Sequence, residues 1–438
     1  MTGNRTYPLG EETLRVVLAS YTEKTHFIGM VALAWALRAA GHEVRVATQP
    51  ALSGFASEAG LASVPVGRDH RLRSGFDLVA GWGEGDARGF FDVGDSWPGA
   101  LPWDELRWGM RDTTAWWWKP VNEPMLEDLV SFCRSWRPDL VIWESTTFSA
   151  AIAAEACGAA HARFLWSLDL FAAMREQYLQ RAAERPEATP DDPMRAWLED
   201  RAARHGVEFS ETLIRGQFTL DYLPASLGVP AETGTPRLPL RYVPYNGRAV
   251  IPDWLRTPPE RPRIGVSVGT STTDWFGGHT YSLTDLLKGL SELDVEVVAT
   301  LPDEEAARIR GLADNVRLVG YAPLDILAPT CELMVTHVGP GTLSSGLVHG
   351  VPQLLAPGPR LDAPLLARRV EEAGAGLVVT PEEACGERFR ETARRILADG
   401  GFTEAAGRLR AEMAAMPSPA SVVAALPGLL EQGFSRTA

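Results

Sequence analysis

Short runs of β-branched and aliphatic residues, each followed by a stretch with apolar positions three or four apart, recur along the whole chain. Leu14 to Ser20 (LRVVLAS) has almost no polar alternation, as expected of a strand buried on both faces of a parallel sheet. A loop follows, YTEKTHFIG, and then MVALAWALRAAG, with Leu33 and Leu37 at helical spacing and Gly41 to stop the helix. HEVRVAT is the next strand. The spacing predicts a βαβ unit of about 35 residues whose right-handed crossover makes its two strands parallel neighbours. Trp136 to Glu144 (WRPDLVIWE) repeats the strand pattern, and Ser149 to Cys157 is the alanine-rich helix behind it. Between Arg71 and Pro120, glycine, aspartate and aromatic residues mix without a period, which predicts loops and short helices covering a cleft.

From Pro239 to Pro262 the chain is rich in proline and glycine and loses all periodicity, as an interdomain linker does. The alternation then resumes. Strand Ile264–Val268, helix Ser282–Leu290, strand Val295–Thr300, helix Glu304–Leu312, strands Val316–Leu318 and Leu333–Thr336, and helix Thr342–His349 are expected in turn. The fold class is therefore α/β, with two Rossmann-like, doubly wound parallel-sheet domains facing across a cleft. The expected divisions are residues 1–238, a linker over 239–262, a second domain over 263–418 and a final helix within 419–438 that packs back on the first domain. Ligands of such sheets bind beyond the carboxyl ends of the strands, so function belongs in the cleft.

A length of 438 residues suits two domains of roughly 200 residues each. Hydrophobic residues at 45% and charged residues at 22% exclude a disordered or repetitive polymer. The net charge of −14 repels phosphate backbones and anionic lipid, so nucleic acid and membrane are poor partners. An anionic ligand must then be held by local donors such as helix N-termini. Cys133, Cys157, Cys331 and Cys385 form no CxxC pair, which speaks against a zinc cage or disulfide framework and for a reduced, cytoplasmic setting. The histidines lack HxxxH spacing, so no metal site is expected. The N-terminal segment lacks an apolar stretch of signal-peptide length, and export and membrane spanning are not expected.

Twelve of the fourteen tryptophans precede residue 200, and Trp116, Trp117 and Trp118 are consecutive. Three adjacent indoles cannot all face one core. An aromatic-walled pocket including Trp82, Trp116 and Trp117 is one reading, and an irregular core filled by rings is the other.

The segment MVTHVGPGTLSSGLVHGVPQLLAPGPRLDAP carries the most specific chemistry. A strand ends at Thr336, Gly339, Pro340 and Gly341 form a tight turn, and Thr342 is expected to open a helix as its cap. Backbone N–H groups at such a turn, with His337 beside them, can cradle a diphosphate. No GK[ST] follows and the third glycine of GxGxxG is missing, which disfavours NTP hydrolysis and dinucleotide binding. The competing reading is a tight strand-to-helix connection with a packed His337.

The run His337-Val-Gly339-Pro-Gly341-Thr342, with Gly350-Val-Pro352-Gln353, Pro357 and Asp362, resembles the donor signature of family-one glycosyltransferases of the GT-B fold. SYTEKTHFIGMVALAWALRAAGHEV is similar to that family's acceptor-domain start, and WRPDLVIWE, NVRLVGYAPL and APTC extend the match over nearly the whole chain. The resemblance is strongest to actinomycete enzymes that move dTDP-deoxysugars onto macrolide, anthracycline or related polyketide aglycones, especially the group assisted by a cytochrome-P450-like helper protein. It implies that His337, Gly339, Gly341 and Thr342 bind the donor diphosphate with Gly269, Thr270 and Ser271, and that Tyr321 stacks on the nucleobase. UDP-sugar members often have Glu where this chain has Ser345, and an Asp-Gln pair for sugar hydroxyls appears here as Asp362-Ala363. Both departures suit a dTDP-deoxysugar, which offers fewer hydroxyls. No cofactor is implied besides the dTDP-sugar substrate. A helper protein and a homodimer are partners that the resemblance admits.

An alcohol acceptor needs a base at neutral pH. His26, in the loop at the top of the first sheet, is the candidate, and Glu144 at a neighbouring strand end would fix its tautomer and stabilise the imidazolium. Asp169 would line the acceptor pocket, while Glu23 reads as a solvated loop charge. Without an evident carboxylate nucleophile, single displacement with inversion at the anomeric carbon is expected. The alternatives are C-glycosyl transfer by the same fold, a sugar-nucleotide epimerase, and a non-catalytic partner of a transferase.

Overall fold

The computed structural model describes residues 13–72, 101–185, 192–229, 234–269, 281–358 and 361–431. The apolar runs seen in the sequence form two sheets. In the first, β1 (Arg15–Ser20), β2 (Glu43–Thr48), β3 (Ser63–Pro65), β4 (Leu140–Glu144), β5 (Ala160–Phe164), β6 (Phe218–Asp221) and β7 (Arg237–Pro239) lie in the order β3-β2-β1-β4-β5-β6-β7. In the second, β8 (Arg263–Ser267), β9 (Glu296–Thr300), β10 (Val316–Val319), β11 (Leu333–Thr336), β12 (Gln353–Leu355) and β13 (Gly376–Val378) lie in the order β10-β9-β8-β11-β12-β13. All pairings among the described residues are parallel. Helices cover both faces, which is why Val16, Val17, Leu18 and Ala19 are all inaccessible to solvent. Each sheet reverses its winding once, between β1 and β4 and between β8 and β11. Sheets wound in this way bind ligands beyond the carboxyl ends of the strands at such reversal points.

The lobes share one apolar cluster. It runs from Phe27 and Phe164 through Tyr222 and Tyr242 to Val338, Leu343 and Leu347, and includes Val422 and Leu426 of the last helix. That helix, Pro419–Glu431, packs against Val31–Ala39 of the first lobe. Arg369 donates to the Gly228 carbonyl at 2.9 Å and Ser226 binds the Glu412 carboxylate, adding polar ties between the lobes. Among the described residues no single helix is long and apolar enough to cross a membrane.

Three sequence expectations change. From Trp103 the expected loops and short helices are replaced by one long helical run: helix Trp103–Thr113 passes through a π-helical turn, Thr114–Trp118, into helix Lys119–Trp136. The extra residue in that turn breaks the 3.6-residue period, which hid the helix from pattern reading. Helix Glu304–Leu312 shortens to Asp303–Ala306, because only Ile309 of that stretch is buried and Gly311 has φ of +71°. The helix expected to open at Thr342 opens at Pro340, with Gly339 as N-cap in an extended conformation. Proline suits the first helical position, where its missing N–H is not needed.

Candidate active site

The first switch point gathers His26, Glu144 and the groups around them. After β1 the chain turns through Tyr21 into a short helix, Lys24–Phe27, which carries His26. Glu23 caps that helix, accepting from the Thr25 N–H at 3.3 Å and the Thr25 hydroxyl at 2.9 Å, and so is a structural cap as well as an exposed charge. Glu144 ends β4 with its side chain wholly buried, and its Oε1 lies 3.2 Å from His26 Nδ1. Thr146 donates its N–H to Glu144 Oε1 at 3.0 Å and its hydroxyl lies 2.9 Å from both carboxylate oxygens; the Thr147 hydroxyl donates to Oε2 at 2.8 Å. Thr147 also accepts from the Tyr21 N–H at 3.1 Å, tying the end of β1 to the end of β4. In the tautomer that carries its proton on Nδ1, beside the carboxylate, Nε2 is the lone-pair nitrogen. Trp166 lies flat on the His26 ring, with centroids 4.2 Å apart and planes at 12°, and Tyr21 meets it edge-on at 5.5 Å. Burial and the adjacent Glu144 carboxylate push the Tyr21 phenol well up from its ordinary range.

The second switch point gathers His337 and the glycine-rich turn before helix Pro340–Leu347. His337 follows β11 and its ring is wedged between two glycines. A Cβ at Gly269 would lie 2.3 Å from the ring's Cε1, and one at Gly339 would lie 2.4 Å from Nε2. Gly269 also has φ of +70°. Between them Val338 takes φ of +69°, a left-handed conformation unfavourable for a β-branched residue, which aims the turn before Pro340. Pro340 lacks an N–H and the Leu343 N–H is bonded to the Gly339 carbonyl at 2.9 Å, so Gly341 and Thr342 supply the open donors of the helix's first turn. Thr342 lies inside this turn and is not its cap. The Ser345 hydroxyl donates back to the Gly341 carbonyl at 2.7 Å. Tyr321 is half exposed, and its hydroxyl donates to the Asn246 carbonyl.

Asp362 precedes helix Ala363–Glu372 and joins the two sides. Its Oδ2 accepts from the Ser167 hydroxyl and from the Leu168 N–H, the latter at 3.2 Å, both in the first lobe. Burial pushes the Asp362 carboxyl up; the Ser167 and Leu168 bonds and the nearby His26 imidazole oppose that rise.

The remaining candidates scatter. Trp116 is exposed and Trp117 is buried in the core with Trp118, so the consecutive indoles divide between surface and interior. Asp169 is held by arginines: Arg163 binds both its oxygens, at 3.0 and 2.8 Å, and Arg237 lies 3.4 Å away. An aspartate beside two buried arginines is held by them. Trp82, Thr270 and Ser271 lie outside the described residues. Among the described residues no group of three His, Cys, Asp or Glu side chains is placed to hold a metal ion. Sequence reading missed Tyr21, Thr146, Thr147, Trp166 and Ser167. The one available signal was their place, immediately after β1, β4 and β5.

The first half of a two-part family model, "Erythromycin biosynthesis protein CIII-like, N-terminal domain", matches residues 35–269, and its C-terminal counterpart matches residues 284–429. The chain is 44% identical over 437 residues to an aklavinone 7-beta-L-rhodosaminyltransferase of Streptomyces galilaeus, covering 97% of each protein. It is 41% identical over 422 residues to a 10-deoxymethynolide desosaminyltransferase of Streptomyces venezuelae, covering 96% of this chain and 98% of that one. Among solved structures, glycosyltransferase VinC in complex with dTDP superimposes with a TM-score of 0.84 at 36% identity, covering 96% of this chain and all (100%) of that one.

Proposed function

This chain belongs to the erythromycin biosynthesis protein CIII-like family of glycosyltransferases, and we propose on that premise that it moves a deoxysugar from a dTDP-sugar to a hydroxyl of a polyketide-type aglycone in antibiotic biosynthesis. It does so by one metal-independent displacement with inversion. One juxtaposition carries this reading: Trp166 stacks on His26 of the His26–Glu144 pair, and the next two residues, Ser167 and Leu168, bind Asp362 of the second lobe. Acceptor base and donor lobe thus share a cleft.

In the reaction, His26 Nε2 takes the acceptor proton as the new C–O bond forms at the anomeric carbon and the bond to the diphosphate oxygen breaks. Glu144 stabilises the imidazolium. The charge on the departing dTDP develops against the N–H groups of Gly341 and Thr342 and beside His337, donors fixed before the reaction begins. Tyr321 offers the thymine a stacking face, and Ser345 in place of a carboxylate suits a deoxyribose. The aglycone is held by the first lobe, on the side where Trp166 and Tyr21 flank His26.

Incubating the purified chain with dTDP-deoxysugars and a panel of macrolide and anthracycline aglycones, with and without a P450-like helper, should yield a glycoside and dTDP. Proton coupling constants of the product report the anomeric configuration. His26→Ala should abolish turnover while the Kd for dTDP stays within about twofold. Normal turnover by that variant would overturn the base assignment. A helper partner, a homodimer and a cytoplasmic location belong to the same proposal, and light scattering tests the first two.

A further inference from the structure

The loop after β5 does two things with consecutive residues. Trp166 stacks face to face on the His26 imidazole at 4.2 Å, and the next two residues, through the Ser167 hydroxyl and the Leu168 N–H, hold Asp362 of the other lobe. Both ends of this loop are anchored. The Tyr222 hydroxyl donates to the Trp166 carbonyl. At the other end, Arg163 grips Asp169 through two bonds, at 3.0 and 2.8 Å. Between those anchors the loop touches the first lobe's base with one residue and the second lobe's helix terminus with the next two. We propose that Trp166–Leu168 is a coupling bridge: engagement of Asp362 by Ser167 and Leu168 sets the loop, and Trp166 thereby holds the His26 ring in the plane that aims Nε2 at the acceptor.

The physical basis is the geometry of the imidazole. Glu144 restrains one edge of the ring by contact with Nδ1 at 3.2 Å, but a single contact leaves the rotation about Cβ–Cγ, which sets the plane of the ring, loosely held. A flat indole against one face removes that freedom. Tyr21, edge-on at 85°, closes another side without setting the plane. The indole face also favours the imidazolium formed when the acceptor proton arrives, by cation–π attraction. The bridge therefore makes base alignment depend on lobe closure. When the lobes separate, the Asp362 bonds are lost, the loop loosens, and the ring is free to swing. Trp166 and Ser167 are positioning residues, since the groups they act through are His26 and Asp362.

This inference rests on His26 being the base, and the experiment separates the two. Four variants, His26→Ala, Trp166→Ala, Trp166→Phe and Ser167→Ala, are compared by kcat, acceptor KM and the Kd for dTDP, using the dTDP-sugar and aglycone pair that the native chain turns over. Misplacing a catalytic group by about 1 Å costs up to ~100-fold, so Trp166→Ala should lower kcat about 10- to 100-fold with dTDP affinity within about twofold. Trp166→Phe, which keeps an aromatic face, should recover most of that loss. Ser167→Ala, a small change that leaves the indole in place, should lower kcat about three- to tenfold with the same unchanged dTDP affinity. If His26→Ala is inactive while Trp166→Ala or Ser167→Ala keeps kcat within twofold of native, the bridge is wrong and the base assignment stands. If Phe is as damaging as Ala at position 166, stacking is not the operative contact and the bridge is likewise refuted. Normal turnover by His26→Ala removes both.

Discussion

Glu144 has no solvent-accessible side chain, yet threonine hydroxyls, a backbone N–H and an imidazole surround its two oxygens. Removing its charge while keeping its shape therefore tests electrostatics and not packing. Glu144→Gln should lower kcat roughly 10³-fold with dTDP binding unchanged, measured by single-turnover kinetics and calorimetry. Asp221 makes a different prediction, about stability. Burial pushes its carboxyl up to about 6, against the pull of Arg237, whose Nη1 lies 2.9 Å away. The unfolded carboxyl titrates near ~3.9, so the folded state binds this proton more tightly, and the group's contribution is complete below pH ~4 and lost as pH rises through about 6. Asp221→Asn lacks that loss. Its unfolding free energy relative to native should rise between pH 4 and 7, as urea titrations at several pH values would show, and a constant difference would contradict the assignment. His26 and Glu144 were legible as residues because each stands where a strand pattern ends. Asp169 also follows a strand: position there identifies a candidate, but only the neighbouring Arg163 and Arg237 show that its charge is already paired.

At the scale of elements, the donor corner depends on two glycines whose absent side chains make room for His337. Gly269→Ala places a methyl carbon 2.3 Å from the ring and forces an unfavourable φ of +70°. The ring must move out of the corner. The variant should weaken dTDP binding by about tenfold or more, the cost of one charge-assisted hydrogen bond, while the far-ultraviolet circular dichroism stays native. Unchanged affinity would show that His337 does not meet the diphosphate. The strands were readable because both sheet faces are covered, which leaves unbroken apolar runs. The long helix through Trp116–Trp118 was not, because its π turn shifts the phase of the buried positions midway. Helix starts suffered likewise: Pro340 and Thr342 are both good N-terminal residues, and the backbone at Gly339, not composition, decides between them.

At the scale of the molecule, the linker is part of the packing that joins the lobes. Tyr242 lies buried in the shared cluster, 5.1 Å ring to ring from Tyr222, and its hydroxyl donates to the Gly341 carbonyl at 3.2 Å beneath the donor corner. Tyr242→Phe should lower stability by about 1 kcal/mol and raise the KM for the donor, whereas an unaffected denaturant midpoint would mean that this bond contributes nothing to lobe placement. By itself the sequence determined two parallel α/β lobes, the tight glycine–proline turn after β11, and the residue types at each strand end, since these follow from local periodicity, proline and glycine chemistry, and hydrogen-bond inventory. The tertiary structure alone decided which of those ends meet. Trp166 on His26, and Ser167 with Asp362 across 195 positions of sequence, are contacts that no local pattern encodes. They arise because each sheet reverses its winding at one point, and a shared apolar cluster then holds the two lobes together.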